Sequence, residues 1–119
     1  MSGHFELRNT AEGKFFFSLK APNGEVILTS GMYATRTAAS RGIAAVKKNA
    51  AHHGYFERKL GLHDEPHFVL KSPTGDILGL SEVYASAVAM ESGVKSVERS
   101  AVGAPVLDLT TIEMFVAHR

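Results

Sequence analysis

At 119 residues and 12.8 kDa, with 45% hydrophobic and 21% charged residues, the chain has the make-up of one folded domain and not of a disordered segment. Its net charge of +1 and pI of about 8.1 are too near neutral to announce a dedicated nucleic-acid or membrane binder. The absence of cysteine excludes disulfides, thiolate metal sites and cysteine nucleophiles, and no apolar run approaches the roughly 18 residues of a membrane span.

The start, Met1 to Glu6, lacks the basic and apolar stretches of a signal peptide, so a cytoplasmic location is expected. His4 to Arg8 reads as a short edge-type strand. Phe15 to Lys20 alternates, with Phe15, Phe17 and Leu19 on one face and Phe16, Ser18 and Lys20 on the other. Pro22-Asn23-Gly24 makes a tight turn, because glycine accepts the positive φ that hairpins need. Glu25 to Ser30 is the returning strand. Thr35 stands where a helix N-cap belongs, and Ala39, Ile43, Val46 and Ala50 then recur at helical spacing.

The same grammar returns 51 positions later. Gly3, Phe5 and Glu6 meet Gly54, Phe56 and Glu57, and Phe17, Leu19, Lys20, Pro22 and Gly24 meet Phe68, Leu70, Lys71, Pro73 and Gly75. Further along, Ser30, Tyr33, Gly42 and Val46 meet Ser81, Tyr84, Gly93 and Val97. Roughly 15 identities over about 48 gapless positions mark an internal duplication, with repeats at residues 3–50 and 54–101. Two copies are too few for a solenoid, so a pseudo-twofold pair is expected. Gly42 and Gly93, each inside a helix where glycine costs about 1 kcal/mol, suggest close approach of a neighbouring element. After the second helix, Pro105 to Leu109 reads as one more strand, and the tail to Arg119 suits either a helical turn or a strand.

The expected fold is therefore α+β: a single pseudo-symmetric domain over 1–119 of two tandem β-β-β-α units. One shared antiparallel sheet would carry both helices on one face, with a C-terminal strand and tail at 104–119. The phrases Phe17 to Ser30 and Gly42 to Ala50, echoed by Gly79 to Tyr84 and Gly93 to Val97, resemble the YegP-like family of small bacterial and archaeal proteins. That resemblance implies a three-strand, helix, strand motif with the last strands exchanged between halves. It implies no catalytic residue. The short gap between the first helix and Tyr55 leaves no room for a separate closing strand in the first unit, so about seven strands are expected rather than eight.

Chemistry is harder to find. His63-Asp64-Glu65-Pro66-His67 places histidines four apart, but the glutamate is one place late for a zincin and Pro66 forbids a helix; a polar inter-unit turn is the simpler reading. His52-His53 adds to a histidine-rich stretch that could bind metal adventitiously, and no cofactor or dedicated metal site is expected. Glu6 with Glu57, and Glu25 with Asp76, follow from duplication without glycosidase chemistry. Tyr33 and Tyr84 read as packing residues. No nucleophile elbow or phosphate loop is present, so the chain reads as a non-enzyme.

Two surfaces remain. If Phe17, Leu19, Val26 and Leu28 face the helices, then Phe16, Ile27, Leu78 and Leu80 point the other way, onto a face covered by the tail, a protein partner or a second copy. Residues 1–60 hold nine Lys/Arg and four Glu, giving +5, whereas 61–119 hold four basic and eight acidic residues, giving −4. A basic first helix with Arg36, Arg41, Lys47 and Lys48 could meet phosphate weakly, with Phe16 as a stacking platform. The leading expectation is a monomeric interaction module for a protein partner, with weak nucleic-acid binding as the alternative and no membrane association.

Overall fold

Alternating hydrophobicity broken by glycine turns gives each half three strands, and a capped apolar stripe gives each half a helix. The computed structural model describes residues 3–52 and 55–110. In chain order the elements are β1 (His4–Asn9), β2 (Phe15–Lys20), β3 (Val26–Thr29), α1 (Arg36–Asn49), β4 (Phe56–Leu60), β5 (Pro66–Lys71), β6 (Ile77–Leu80), α2 (Ala87–Ala101) and β7 (Val106–Asp108). Thr35 and Ser86 cap the helices as their spacing predicts, each side-chain oxygen accepting from the backbone N–H three residues on. Gly24 and Gly75 hold the hairpin turns at φ 88° and 92°. The histidine-rich segment is the turn between β4 and β5 inside the second unit, not an inter-unit turn. There Asp64 adopts φ 64°, where its counterpart is Gly13 at 81°.

The seven strands form one sheet in the order β4-β5-β6-β3-β2-β1-β7. Six of them pair antiparallel, and β7 joins β1 in parallel, so the sheet is mixed. The closing strand of the second unit thus completes the first unit, and β1 is not an edge. The two halves meet where β3 pairs with β6, at Thr29 opposite Leu80, which are themselves repeat equivalents. Each helix reaches across that seam: α1 packs on β2 and also on β5 and β6, and α2 on β5 and also on β1, β2 and β3. Their stripes, Ala39, Ile43, Val46 and Met90, Val94, Val97, join Phe5, Phe17, Leu19, Leu28, Phe68 and Leu70 in one core.

Two details at the seam were not anticipated from alternation. The register slips between Leu19 and Lys20, so Leu19 faces Leu28 while Lys20 faces Val26, and Ile27 is the extra residue; the same bulge recurs at Leu70/Lys71 with Leu78. Each bulge re-aims its extra residue, and Ile27 and Leu78 are buried core members instead of outward-facing. Val26 correspondingly sits with Lys20 rather than under the helices. At the centre, Leu28 fills the space that a side chain on its counterpart Gly79 would need, since a Cβ there would lie 2.6 Å from Leu28 Cγ.

The helix glycines mark close approach, as their duplication suggests. A Cβ on Gly42 or Gly93 would collide with the hydroxyl of Tyr33 or Tyr84. Each tyrosine ring is in turn stacked 6.1 Å from Phe17 or Phe68. Burial pushes both phenols up from their ordinary pKa, consistent with a packing role.

Candidate interaction surface

The helix-free face of the sheet carries a transverse row read directly from the strand register: Glu57, Val69, Leu80, Thr29, Ser18, Glu6, Leu107. Two of the four residues expected to form an apolar partner face belong here. Leu80 is half exposed in the row, and Phe16 lies opposite Arg8 and is partly buried. Ile27 and Leu78 are on the core side. Ile77, which alternation alone did not single out, takes their place on the outer side, opposite Lys71 and 57% exposed. The exposed apolar groups of this face are therefore Ile77 and Leu80 in the second unit and Leu107 at the opposite edge, beside β1.

Near each end of the row a glutamate is clasped by cations. Glu6 accepts from His4 at 2.9 Å and Arg8 at 3.1 Å and lies 3.3 Å from Lys20. Its counterpart Glu57 lies 2.8 Å from Lys71 and 3.7 Å from Lys59. The two differ in burial, with side chains 10% and 44% exposed. The hydrogen bond from His4, reinforced by Arg8 and Lys20 against the cost of burial, lowers the Glu6 pKa from 4.5 to about 2. Lys71 lowers that of Glu57 as well.

Because the Glu6 pKa is depressed in the folded state, its stabilisation is complete above about pH 4.5 and is lost as pH falls towards 2. Glu6→Gln is expected to cost about 2–3 kcal/mol at pH 7, and Glu57→Gln little. Urea unfolding at pH 7, 4 and 2.5 checks this: the gap between wild type and Glu6→Gln should narrow to a fraction of its pH 7 value at the lowest pH. A gap that stays constant with pH would remove the carboxylate charge as its cause.

The basic helix is partly committed to structure. Arg36 Nη2 donates to the Thr110 hydroxyl at 2.7 Å and its Nε lies 3.7 Å from Asp108, which ties α1 to β7. Lys47 Nζ sits 5.8 Å above the Phe5 ring. Arg41 and Lys48 are exposed, two turns apart. Phe16 is on the opposite side of the sheet from α1, so the structure does not bring the expected stacking platform to the basic helix.

Among the described residues the histidines do not converge, and His53 of the His52-His53 pair lies outside them. The His52 ring is tilted against Tyr55 at 5.3 Å, the His63 backbone donates to Glu65, and His67 lies opposite Lys59 on β5. Among the described residues no group of three or more His, Asp or Glu is arranged to hold a metal ion. No helix among them is long and apolar enough to cross a membrane.

The first strands of the two units contrast: β1 is flanked by β7, whereas β4 is itself an outer strand of the sheet, as β7 is at the other side. β1 is covered: Phe5 N–H donates to Pro105 C=O and Leu109 N–H to Leu7 C=O, both at 2.8 Å. β4, its repeat equivalent, has no strand beyond it among the described residues. Where β1 buries Leu7, β4 carries Arg58, whose guanidinium grips Glu91 of α2 at 2.7 and 2.9 Å and donates to the Phe56 carbonyl at 3.1 Å. Around this edge lie the exposed Leu60 and Leu62, at 66% and 91%. Two cavities adjoin β4. One of about 340 Å³ is lined by Tyr55, Phe56, Glu57 and Lys71 with the Ser72–Gly75 turn; another of about 160 Å³ is lined by Arg58, Lys59, Leu60, Pro66, Ala87 and Met90.

Comparison with known proteins gives one consistent picture. A family model described as a domain of unknown function, DUF1508, matches residues 11–57 and again 63–108, each stretch holding a hairpin, a helix and the strand that follows. The UPF0339 protein YegP of Yersinia pestis is 40% identical over 108 residues, covering 91% of this chain and 96% of that protein. The Escherichia coli YegP is 39% identical over 110 residues, covering 92% and 100%. Its solution NMR structure, described as that of a protein of unknown function, superposes with a TM-score of 0.87 over 92% of this chain and 95% of that one. A solution structure of a UPF0339 protein from Shewanella oneidensis, 38% identical, gives the same score over 92% and 93%.

Proposed function

The chain belongs to the DUF1508 family, as a tandem fusion of two of its units, and from that premise we propose that it is a non-enzymatic interaction module for another protein. The observation that carries this reading is the unfinished edge at β4, with exposed Leu60 and Leu62 beside it and Ile77 and Leu80 on the adjoining outer face. Exposed apolar groups gathered beside a strand edge are a feature of contact surfaces. Among the described residues the histidines and the packed tyrosines supply no paired acid and base for a reaction. The reading also fits a small domain with unequal halves, one extended by β7 beyond its first strand and one with no strand beyond β4 among the described residues.

Nucleic-acid binding through α1 is the weaker alternative. Arg36 and Lys47 already have partners inside the fold, and Arg41 and Lys48 alone make a short phosphate track. A photo-reactive residue placed at Leu60, Leu80 or Lys48 separates the two in the native cell. Protein adducts from positions 60 and 80 but not 48 are expected. Oligonucleotide-induced, salt-sensitive amide shifts at Arg41 and Lys48, without protein adducts at 60 or 80, would reverse the order.

A further inference from the structure

The repeat itself shows what fits the open edge. Shifting by 51 residues maps β4 onto β1, and the residues that line the smaller cavity map onto Leu7, Arg8, Asn9, Phe15, Arg36 and Ala39. Two of these, Leu7 and Arg36, are the residues to which Leu109, Asp108 and Thr110 bond. The larger cavity lies at the Phe56 end of β4. Its counterpart end on β1 receives Pro105 and Val106, through the Phe5 N–H bond and the Phe5–Val106 pairing. The smaller cavity therefore occupies the place that the 108–110 end of that segment fills on the first unit, whereas the larger lies between the start of β4 and the β5–β6 turn, and of its lining only Phe56 and Glu57 have counterparts that pair with β7. Residues 105–110 are bonded to β1 and α1 at both ends, so this chain's own closing strand is already in use.

We propose that β4 accepts an extended segment of another protein as an eighth strand, parallel to β4 and in the register that β7 takes on β1. This rests on the reading of the chain as an interaction module. In that register an apolar residue stands opposite Phe56, as Val106 does opposite Phe5, and an acidic residue stands opposite Arg58, as Asp108 does opposite Leu7. A further apolar residue follows at the smaller cavity. The acid shares the Arg58 guanidinium with Glu91 and faces the first turn of α2, which has no acidic residue of its own. The Phe56 carbonyl now accepts from the Arg58 side chain, in the place that a docked strand's N–H would take. Arg58 and Lys59 also discourage indiscriminate strand pairing, so an incoming strand must supply the matching carboxylate.

The probe is a synthetic peptide with this chain's own residues 103–110, titrated into the labelled full-length protein and followed by NMR. Amide shifts at Phe56, Arg58 and Leu60, with intermolecular contacts in parallel register, are expected. Changing the peptide's aspartate to asparagine should weaken binding about fivefold to tenfold. Arg58→Leu, which places the β1 residue at this position, should bring that ratio close to one. Arg58→Pro removes an outward N–H without breaking a β4–β5 bond and should abolish binding.

Absence of shifts at millimolar peptide overturns the proposal, as do shifts at Phe5 to Leu7, which would mean exchange with β7. Concentration-dependent β4 shifts without peptide would assign the edge to a second copy and overturn it too. Shifts confined to Ile77 and Leu80 would remove the eighth strand while leaving an interaction module that uses the sheet face.

Discussion

Exchanging Leu28 and Gly79 is expected to restore most of the stability that either change alone removes. Leu28→Gly empties the centre of the seam and adds chain freedom to a strand, together costing about 4 kcal/mol. Gly79→Leu drives a side chain into Leu28 and costs about 2 kcal/mol or more through overpacking. The two positions are repeat equivalents beside the Thr29–Leu80 pair, so both address the same small volume, and one leucine fills it from either side. Urea unfolding of the two single variants and the double variant gives the coupling directly. Additive losses, with the double variant the least stable of the three, would show that the halves are not interchangeable there.

The second large effect concerns the helix glycines. Alanine normally stabilises a helix interior by about 1 kcal/mol relative to glycine, yet Gly42→Ala and Gly93→Ala should each destabilise by about 1–3 kcal/mol. The cause is the tyrosine hydroxyl lying against each glycine, with the ring held between helix and sheet by Phe17 or Phe68. Adding Tyr33→Phe to Gly42→Ala removes the nearest atom and should recover part of the loss. Thermal melts of the three proteins check this: a raised midpoint in Gly42→Ala would mean that the ring simply moves aside.

What could be read from the chain followed from repetition. Turn glycines, caps at Thr35 and Ser86 and helical stripes each occur twice, so each assignment had an independent copy to support it. Strand-facing failed at Ile27 and Leu78 because alternation presumes an unbroken ladder, and a bulge inserts one residue without any local signature. The parallel placement of β7 beside β1 is likewise a long-range event, set by where α2 ends across the seam. At the candidate surface, charge was legible but engagement was not: the sequence contains Arg36 and Lys47 but not Thr110 or the Phe5 ring against them. The open edge at β4 becomes visible only when the number of strands is joined to their order.

The placement of β7 has a mechanical consequence. β1 begins the described fold and β7 ends it, and the two run side by side in the same direction. Tension applied between the two ends of the described fold pulls β1 back along its length and β7 forward along its own. The hydrogen bonds between them then share the load in shear instead of opening one after another like a zip. A chain whose ends meet in this geometry resists extension until the whole short ladder slips, so the strand that closes the first unit also acts as a clasp between the ends.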